Sequence, residues 1–195
     1  MPVSSPPPVP RIDVAVDLGA GPVDLGTRGL AAAVVPAPRF GREGELQAAV
    51  KAALAAGADL ADVSLEPRLV GAVARSGAGP VAARVATAEA AAAARAAGAA
   101  LVLVPPDLAD RAAAEGWPAA VVVDDLAAIA AARPTADRHG FPLAFDASRL
   151  PALEALADEA VALSSGCRIV RTTDVRRTRR VIEVVAALLE ARREA

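Results

Sequence analysis

Asp62 and Glu66 stand four residues apart, where the apolar run Leu60–Ser64 gives way to Pro67. Two carboxylates held that close are raw material for general acid–base chemistry, provided their surroundings drive their pKa values apart. The plainer reading, adopted here, has Asp62 hydrogen-bonded to a neighbouring strand or to a residue at another strand end, and Glu66 solvated. Asp124-Asp125 ends another apolar run, and the simplest role for the pair is to close a strand and cap the helix that starts at Leu126. A hard cation there would need more oxygen ligands, of which Asp146 is one candidate. Arg171-Thr172-Thr173-Asp174, followed by Arg176, Arg177, Arg179 and Arg180, is the most pointed stretch. Thr173 or Asp174 should cap a final helix whose free N–H groups, beside Arg171, suit a phosphate. A solvated basic first turn on a helix packing through Val181, Val185 and Leu188 explains the same residues, and both readings stay open.

The remaining reactive side chains offer little. His139 is the single histidine and falls in a polar stretch, Thr135–Gly140, read as a loop ahead of a strand. Cys167 also precedes a strand and has no histidine to activate its thiol. The chain has no His-Glu-x-x-His, no Cys/His cluster, no phosphate-binding loop and no Gly-x-Ser-x-Gly. Catalytic residues are not identified by motif.

The elements that must carry these residues form a repeat: an alanine-rich helical run ends in glycine, and a short β-branched strand follows. It occurs at Leu46–Gly57 with Leu60–Ser64, Ala88–Gly98 with Leu101–Val104, Leu108–Gly116 with Ala120–Asp124, and Leu153–Gly166 with Arg168–Thr172. Weaker copies are Leu69–Gly79 with Val81–Val85, and Leu126–Gly140 with Leu143–Ala147. Glycine stops a helix cheaply because it alone takes the left-handed conformation without steric penalty. Strands that are apolar without alternation suit a sheet covered on both faces. Alternating helices and strands give parallel pairing with right-handed crossovers. With Leu30–Val35 there are seven such strands, and Ile12–Leu18 is an eighth candidate. The fold class expected is α/β: a TIM-like (β/α)8 barrel, trimmed, with one strand missing or irregular. An open doubly wound sheet is the alternative, although no Gly-x-Gly-x-x-Gly follows any strand.

The 195 residues fit one domain, read as a disordered Pro-rich tail over 1–10 and a single barrel over 11–195. The chain has 53 alanines but three Phe, one Trp and no Tyr, so its core must be built from small side chains. A net charge of −2 gives no electrostatic case for nucleic acid. No apolar run approaches the ~20 residues of a membrane span. One cysteine excludes an internal disulfide, and the expected location is cytoplasmic.

Three stretches in this order resemble the dihydropteroate synthase family. Gly57-Ala58-Asp59-Leu60-Ala61-Asp62-Val63 with Glu66 is similar to its Gly-Ala-Asp-Ile-Ile-Asp-Val-Gly-Gly-Glu-Ser. Asp146-Ala147-Ser148-Arg149 looks like its Gly-Ala-Ser-Arg-Lys. Arg168-Ile169-Val170-Arg171-Thr172-Thr173-Asp174-Val175 looks like its closing Arg-Val-His-Asp-Val strand. The resemblance runs from about Leu30 to Leu189. It implies a pterin-binding TIM barrel of folate synthesis, a transferase that joins a pterin diphosphate to p-aminobenzoate with magnesium on the leaving diphosphate.

The chain departs from that pattern where the family does its chemistry. The Asn-Val-Thr-Pro-Asp-Ser-Phe loop corresponds to Val34–Phe40 and keeps only Val35 and Phe40. The pterin-binding aspartate falls on Arg84, and the next asparagine on Leu103. The lysine after Ser-Arg falls on Leu150, and the final histidine on Thr173. Asp146 alternatively stands for the aspartate of the family's Asp-Pro-Gly strand. Retained as candidate ligand-binding positions are Asp62, Glu66, Asp146, Ser148, Arg149, Arg171 and Asp174.

The resemblance therefore implies a dihydropteroate-synthase-like protein with impaired catalysis, a binding or partner subunit. Its partners would be a pterin or phosphate-bearing small molecule, and a second copy or a full-length synthase. One alternative is an active transferase that uses Asp124, Asp146, Arg149 and Arg171, with magnesium. Another is an unrelated phosphate-binding barrel.

Overall fold

A computed structural model describes residues 15–17, 22–24, 28–35, 43–63 and 67–194. Seven strands close a parallel barrel: β3 (Leu30–Val34), β4 (Leu60–Asp62), β5 (Val81–Arg84), β6 (Leu101–Val104), β7 (Ala119–Val123), β8 (Leu143–Asp146) and β9 (Ile169–Thr172). They pair in chain order, and β3 closes the ring directly on β9, with Leu30 opposite Ile169 and Ala32 opposite Arg171. The eighth candidate does not enter the barrel. Its described part, β1 (Ala15–Asp17), pairs antiparallel with β2 (Pro22–Asp24) in a separate two-stranded sheet. The expected tail over 1–10 lies outside the described residues.

Helices follow the strands as the repeat predicts: α1 (Glu43–Ala55), α2 (Pro67–Arg75), α3 (Ala88–Ala96), α4 (Ala109–Ala114, entered through a 3-10 turn at Pro106–Leu108), α5 (Leu126–His139), α6 (Ala152–Ser164) and α7 (Val175–Glu194). The glycines that end them take positive φ, as at Gly98 (103°) and Gly140 (66°). The polar stretch Thr135–His139 is not a loop but the last turn of α5. The helix continues through Pro134 because that residue and Ala130 both face solvent, so water can satisfy the carbonyl the proline leaves without a donor.

Alternate strand residues point to opposite sides of the sheet. Inside the barrel, Leu30, Ala32, Leu60, Ala82, Leu101, Leu103, Ala120, Val122, Ala144 and Ile169 form one buried cluster. Outward residues such as Val121, Phe145 and Val170 pack under the helices. Small side chains are a geometric requirement, since barrel diameter grows with strand number and seven strands enclose less room than eight.

Candidate functional site

At the C-terminal end of the barrel the inward-facing positions change from hydrocarbon to charge. Two residues after Leu60, Ala82, Val122, Ala144 and Ile169 come Asp62, Arg84, Asp124, Asp146 and Arg171. They join into one chain of ion pairs. Arg171 donates from Nε to Asp62 Oδ2 at 2.7 Å, from Nη2 to the same oxygen, and from Nη1 to Asp146 Oδ2. Arg84 donates from Nη1 to Asp146 Oδ2 and from Nη2 to Asp124 Oδ2 at 2.7 Å. The other oxygen of Asp146, Oδ1, accepts from the backbone N–H and the hydroxyl of Ser148 at 3.0 and 2.6 Å.

Burial grades across this network. The side chains of Asp62 (1% exposed), Asp146 (2%) and Arg171 (9%) are enclosed, Arg84 is 28% exposed and Asp124 62%. Burial works against the charge of Arg84, but the hydrogen bond and charge of Asp124, aided by Asp146 and Asp62, more than offset it and hold its pKa above the ordinary arginine value. Within this network three carboxylates face two guanidiniums, an excess of one negative charge.

The candidate residues thus separate. Asp62, Asp146, Ser148 and Arg171 come together, and Arg84 and Asp124 complete them. Asp62 is hydrogen-bonded to a residue at another strand end, Arg171 of β9, two places round the barrel, and not to a neighbouring strand. Glu66 lies outside the described residues. Arg149 is exposed in the turn after β8 and outside the network. Asp174 stands immediately before α7 and caps it, its Oδ1 accepting from the Arg177 N–H at 3.1 Å. Asp125 caps α5 by accepting from the Ala127 N–H, so only the second residue of that pair is a cap.

The phosphate reading of the last helix loses its principal donor, because every nitrogen of the Arg171 guanidinium already faces a carboxylate. Two of the four arginines that follow are structural. Arg179 donates to the Gly57 carbonyl and to Asp59, tying α7 to the base of β4. Arg177 reaches Glu159 at 2.9 Å.

Glu159 is the buried charge that sequence reasoning missed. Fully enclosed on the inner face of α6, it accepts from Thr178, whose hydroxyl also meets Thr172 at the end of β9. Burial raises its pKa, with the Thr178 and Arg177 contacts opposing. Its position in phase with Ala155 and Ala162 on α6 was the available signal. Arg168 is likewise buried, donating to the Leu163 and Cys167 carbonyls. Cys167 is buried and desolvation pushes its thiol up to about 12, the opposite of an activated nucleophile. His139 sits far from the mouth, against Asp110 at 2.6 Å.

The magnesium implied by the resemblance does not match the donor set. Asp62, Asp146 and Asp124 each face a guanidinium, which repels a cation, and no group of three or more metal-ligating side chains occurs among the described residues.

No family model matches the sequence, and no curated protein does. Solved structures do match. The dihydropteroate synthase of Yersinia pestis aligns with a TM-score of 0.67 and 18% identity, covering 94% of this chain and 100% of that one. The 7,8-dihydropteroate synthase of Vibrio fischeri gives 0.68 and 13%, over 91% and 98%. The enzyme of Stenotrophomonas maltophilia gives 0.66 and 19%, over 90% and 98%. At these identities the likeness is one of fold.

Proposed function

From a chain that carries a seven-stranded version of the dihydropteroate synthase fold, we propose a cytoplasmic protein of pterin metabolism that has lost turnover and serves as a binding or partner subunit. The mouth network carries this reading. A barrel acts at the C-terminal ends of its strands, where substrate must find free donors and acceptors. Among the described residues the inward-facing charged groups at those ends are spent on one another. Arg84 presents donors where the resemblance puts a proton acceptor, and a site built around hydrogen bonds discriminates strongly once they are reversed. The active-transferase alternative rests on Asp124, Asp146, Arg149 and Arg171; three of these are locked together and the fourth stands apart.

The partner role draws support from the outer surface. Among the described residues every exposed large hydrophobic side chain is on two neighbouring helices: Leu153, Leu156 and Val161 of α6, and Val184 and Leu188 of α7. Scattered apolar residues are ordinary on a surface, but a patch confined to two helices marks a contact face. Charge favours a partner built alike. Of the charged residues that reach the surface, α6 presents Glu154 and Asp158 with no base, whereas α7 presents Arg176, Arg180, Arg192 and Arg193 against Glu183, Glu190 and Glu194. A full-length synthase of the same fold is the partner this reading names.

The decisive experiment incubates the purified protein with magnesium, pterin diphosphate and p-aminobenzoate, alone and mixed with a complete synthase. The protein alone should form no dihydropteroate above background. Mixing should give a co-eluting complex or a changed synthase rate, and Leu153→Asp with Leu188→Asp should abolish the effect. Product from the isolated protein would overturn the loss of turnover; a synthase that neither co-elutes with the protein nor changes its rate would overturn the partnership.

A further inference from the structure

Among the described residues, Glu159 is the one fully enclosed carboxylate away from the barrel mouth. It sits where α6 packs on α7, and both of its donors converge on a single oxygen. Thr178 gives its hydroxyl to Oε1 at 2.9 Å, and Arg177 gives an Nη2–H to the same atom at 2.9 Å. Oε2 has no hydrogen-bond partner among the described residues, and neither has Arg177 Nε. A bare charged oxygen is costly in such a place, because it gives up its hydration and receives nothing in return.

The charges around Glu159 do little to hold the ionised form. Arg177 is part-exposed and meets it through one nitrogen, while Nη1 turns to the Ala152 carbonyl at 3.4 Å. Asp174, in the turn between β9 and α7, adds repulsion. From β9 comes a hydroxyl, Thr172 Oγ1, which lies 2.9 Å from Thr178 Oγ1 and accepts the Asp174 N–H. The helix α5, which also packs on α6, sends Arg133 to the Ser165 carbonyl just past the end of α6. Asp146 of β8 is turned into the barrel, towards Arg171. Desolvation accordingly outweighs the Thr178 and Arg177 contacts and lifts Glu159 above the ordinary glutamate value.

We infer that Glu159 is a proton-binding residue that sets how firmly α6 is held on α7 and β9: a proton taken from solvent at Oε2 secures the contact, and its release loosens it. Oε2 is the natural seat for that proton, since protonation there cancels the charge and leaves both donors on Oε1 in place. The neutral group also costs far less to keep enclosed than the anion. By linkage, a carboxyl raised in the folded chain binds its proton more tightly there than in the unfolded chain. Its stabilisation is complete below the ordinary glutamate value and is lost as the pH rises through the higher folded value. This device belongs to the α6–α7 seam and depends on no ligand, turnover or partner.

The test compares the unmodified protein with Glu159→Gln, which keeps the shape and an acceptor for Thr178 and Arg177 but cannot ionise. Urea unfolding of both proteins from about pH 4 to about pH 8 isolates the residue, because titrations common to the two cancel in the difference. The unmodified protein should lose stability relative to Glu159→Gln as the pH rises, by up to about tenfold in the unfolding constant per pH unit across the window. Over the same window, hydrogen exchange of the α6 amides, corrected for its intrinsic pH dependence, should accelerate in the unmodified protein only. A further measurement needs no Glu159 variant: the side-chain carboxyl resonance of Glu159 should titrate above the ordinary glutamate range. Arg177→Met should move that midpoint higher still, since it removes the cation on Oε1. Should Glu159→Gln fail to fold, the resonance decides alone. A stability difference that ignores pH or runs the other way, α6 exchange that does not change, or a Glu159 midpoint within or below the ordinary range overturns the inference.

Discussion

The two mouth arginines should respond very differently to removal. Replacing Arg171 by Met strips Asp62 and Asp146 of a buried cation, and breaking a buried ion pair from one side typically costs about 3–5 kcal/mol. Replacing Arg84 by Met removes a part-exposed guanidinium and leaves Asp146 paired, so its effect should be well below that of Arg171→Met. Urea unfolding followed by circular dichroism checks this, and equal losses would contradict the graded burial of the network. The residue types of this site were legible from the start: Asp62, Asp146, Ser148 and Arg171 were singled out by sequence. Their pairing was not. Nothing local to Arg171 says that Asp62, 109 positions away, will take its Nε–H. Arg149 shows the converse, since the spacing that singled it out beside Ser148 leaves its side chain outside the network.

Helix and strand bounds were the most readable feature, because each unit is punctuated by glycine. Two of these positions separate conformational strain from crowding. At Gly140 (φ 66°) an added Cβ would meet nothing within 4 Å, so Gly140→Ala should lose only the left-handed penalty, roughly 1–2 kcal/mol. At Gly98 (φ 103°) the same Cβ would come within 2.9 Å of the Ala74 Cβ, packing α3 onto α2. Gly98→Ala should therefore destabilise more than Gly140→Ala. Thermal melts of the two variants decide it, and the reverse order would show that the α2–α3 contact yields. The misreading of Thr135–His139 has a physical origin at this scale. Proline and polar residues argue for a loop by propensity, but burial of Ile129, Ala132 and Ala136 on one face of α5 holds the helix together.

Closure with seven strands sets the size of everything inside. Ala32, Ala82, Ala120 and Ala144 face the interior beside Leu30, Leu60, Leu101, Leu103, Val122 and Ile169. Ala120→Leu should overpack this space and destabilise by roughly 1–3 kcal/mol or more. A comparable change at exposed Ala131, on the solvent side of α5, should be nearly neutral. Differential scanning calorimetry of the pair tests whether the alanine content reflects a narrow barrel. By itself the sequence determined the α/β alternation, the parallel order of strands, the small-residue core and the set of charged residues at strand ends, because these follow from local periodicity, glycine punctuation and composition. Only the tertiary structure decided that β3 meets β9 without an eighth strand, that Glu159 is enclosed, and which arginine faces which aspartate. Those outcomes depend on circumference and on distances between residues far apart in the chain, and local patterning has no record of either.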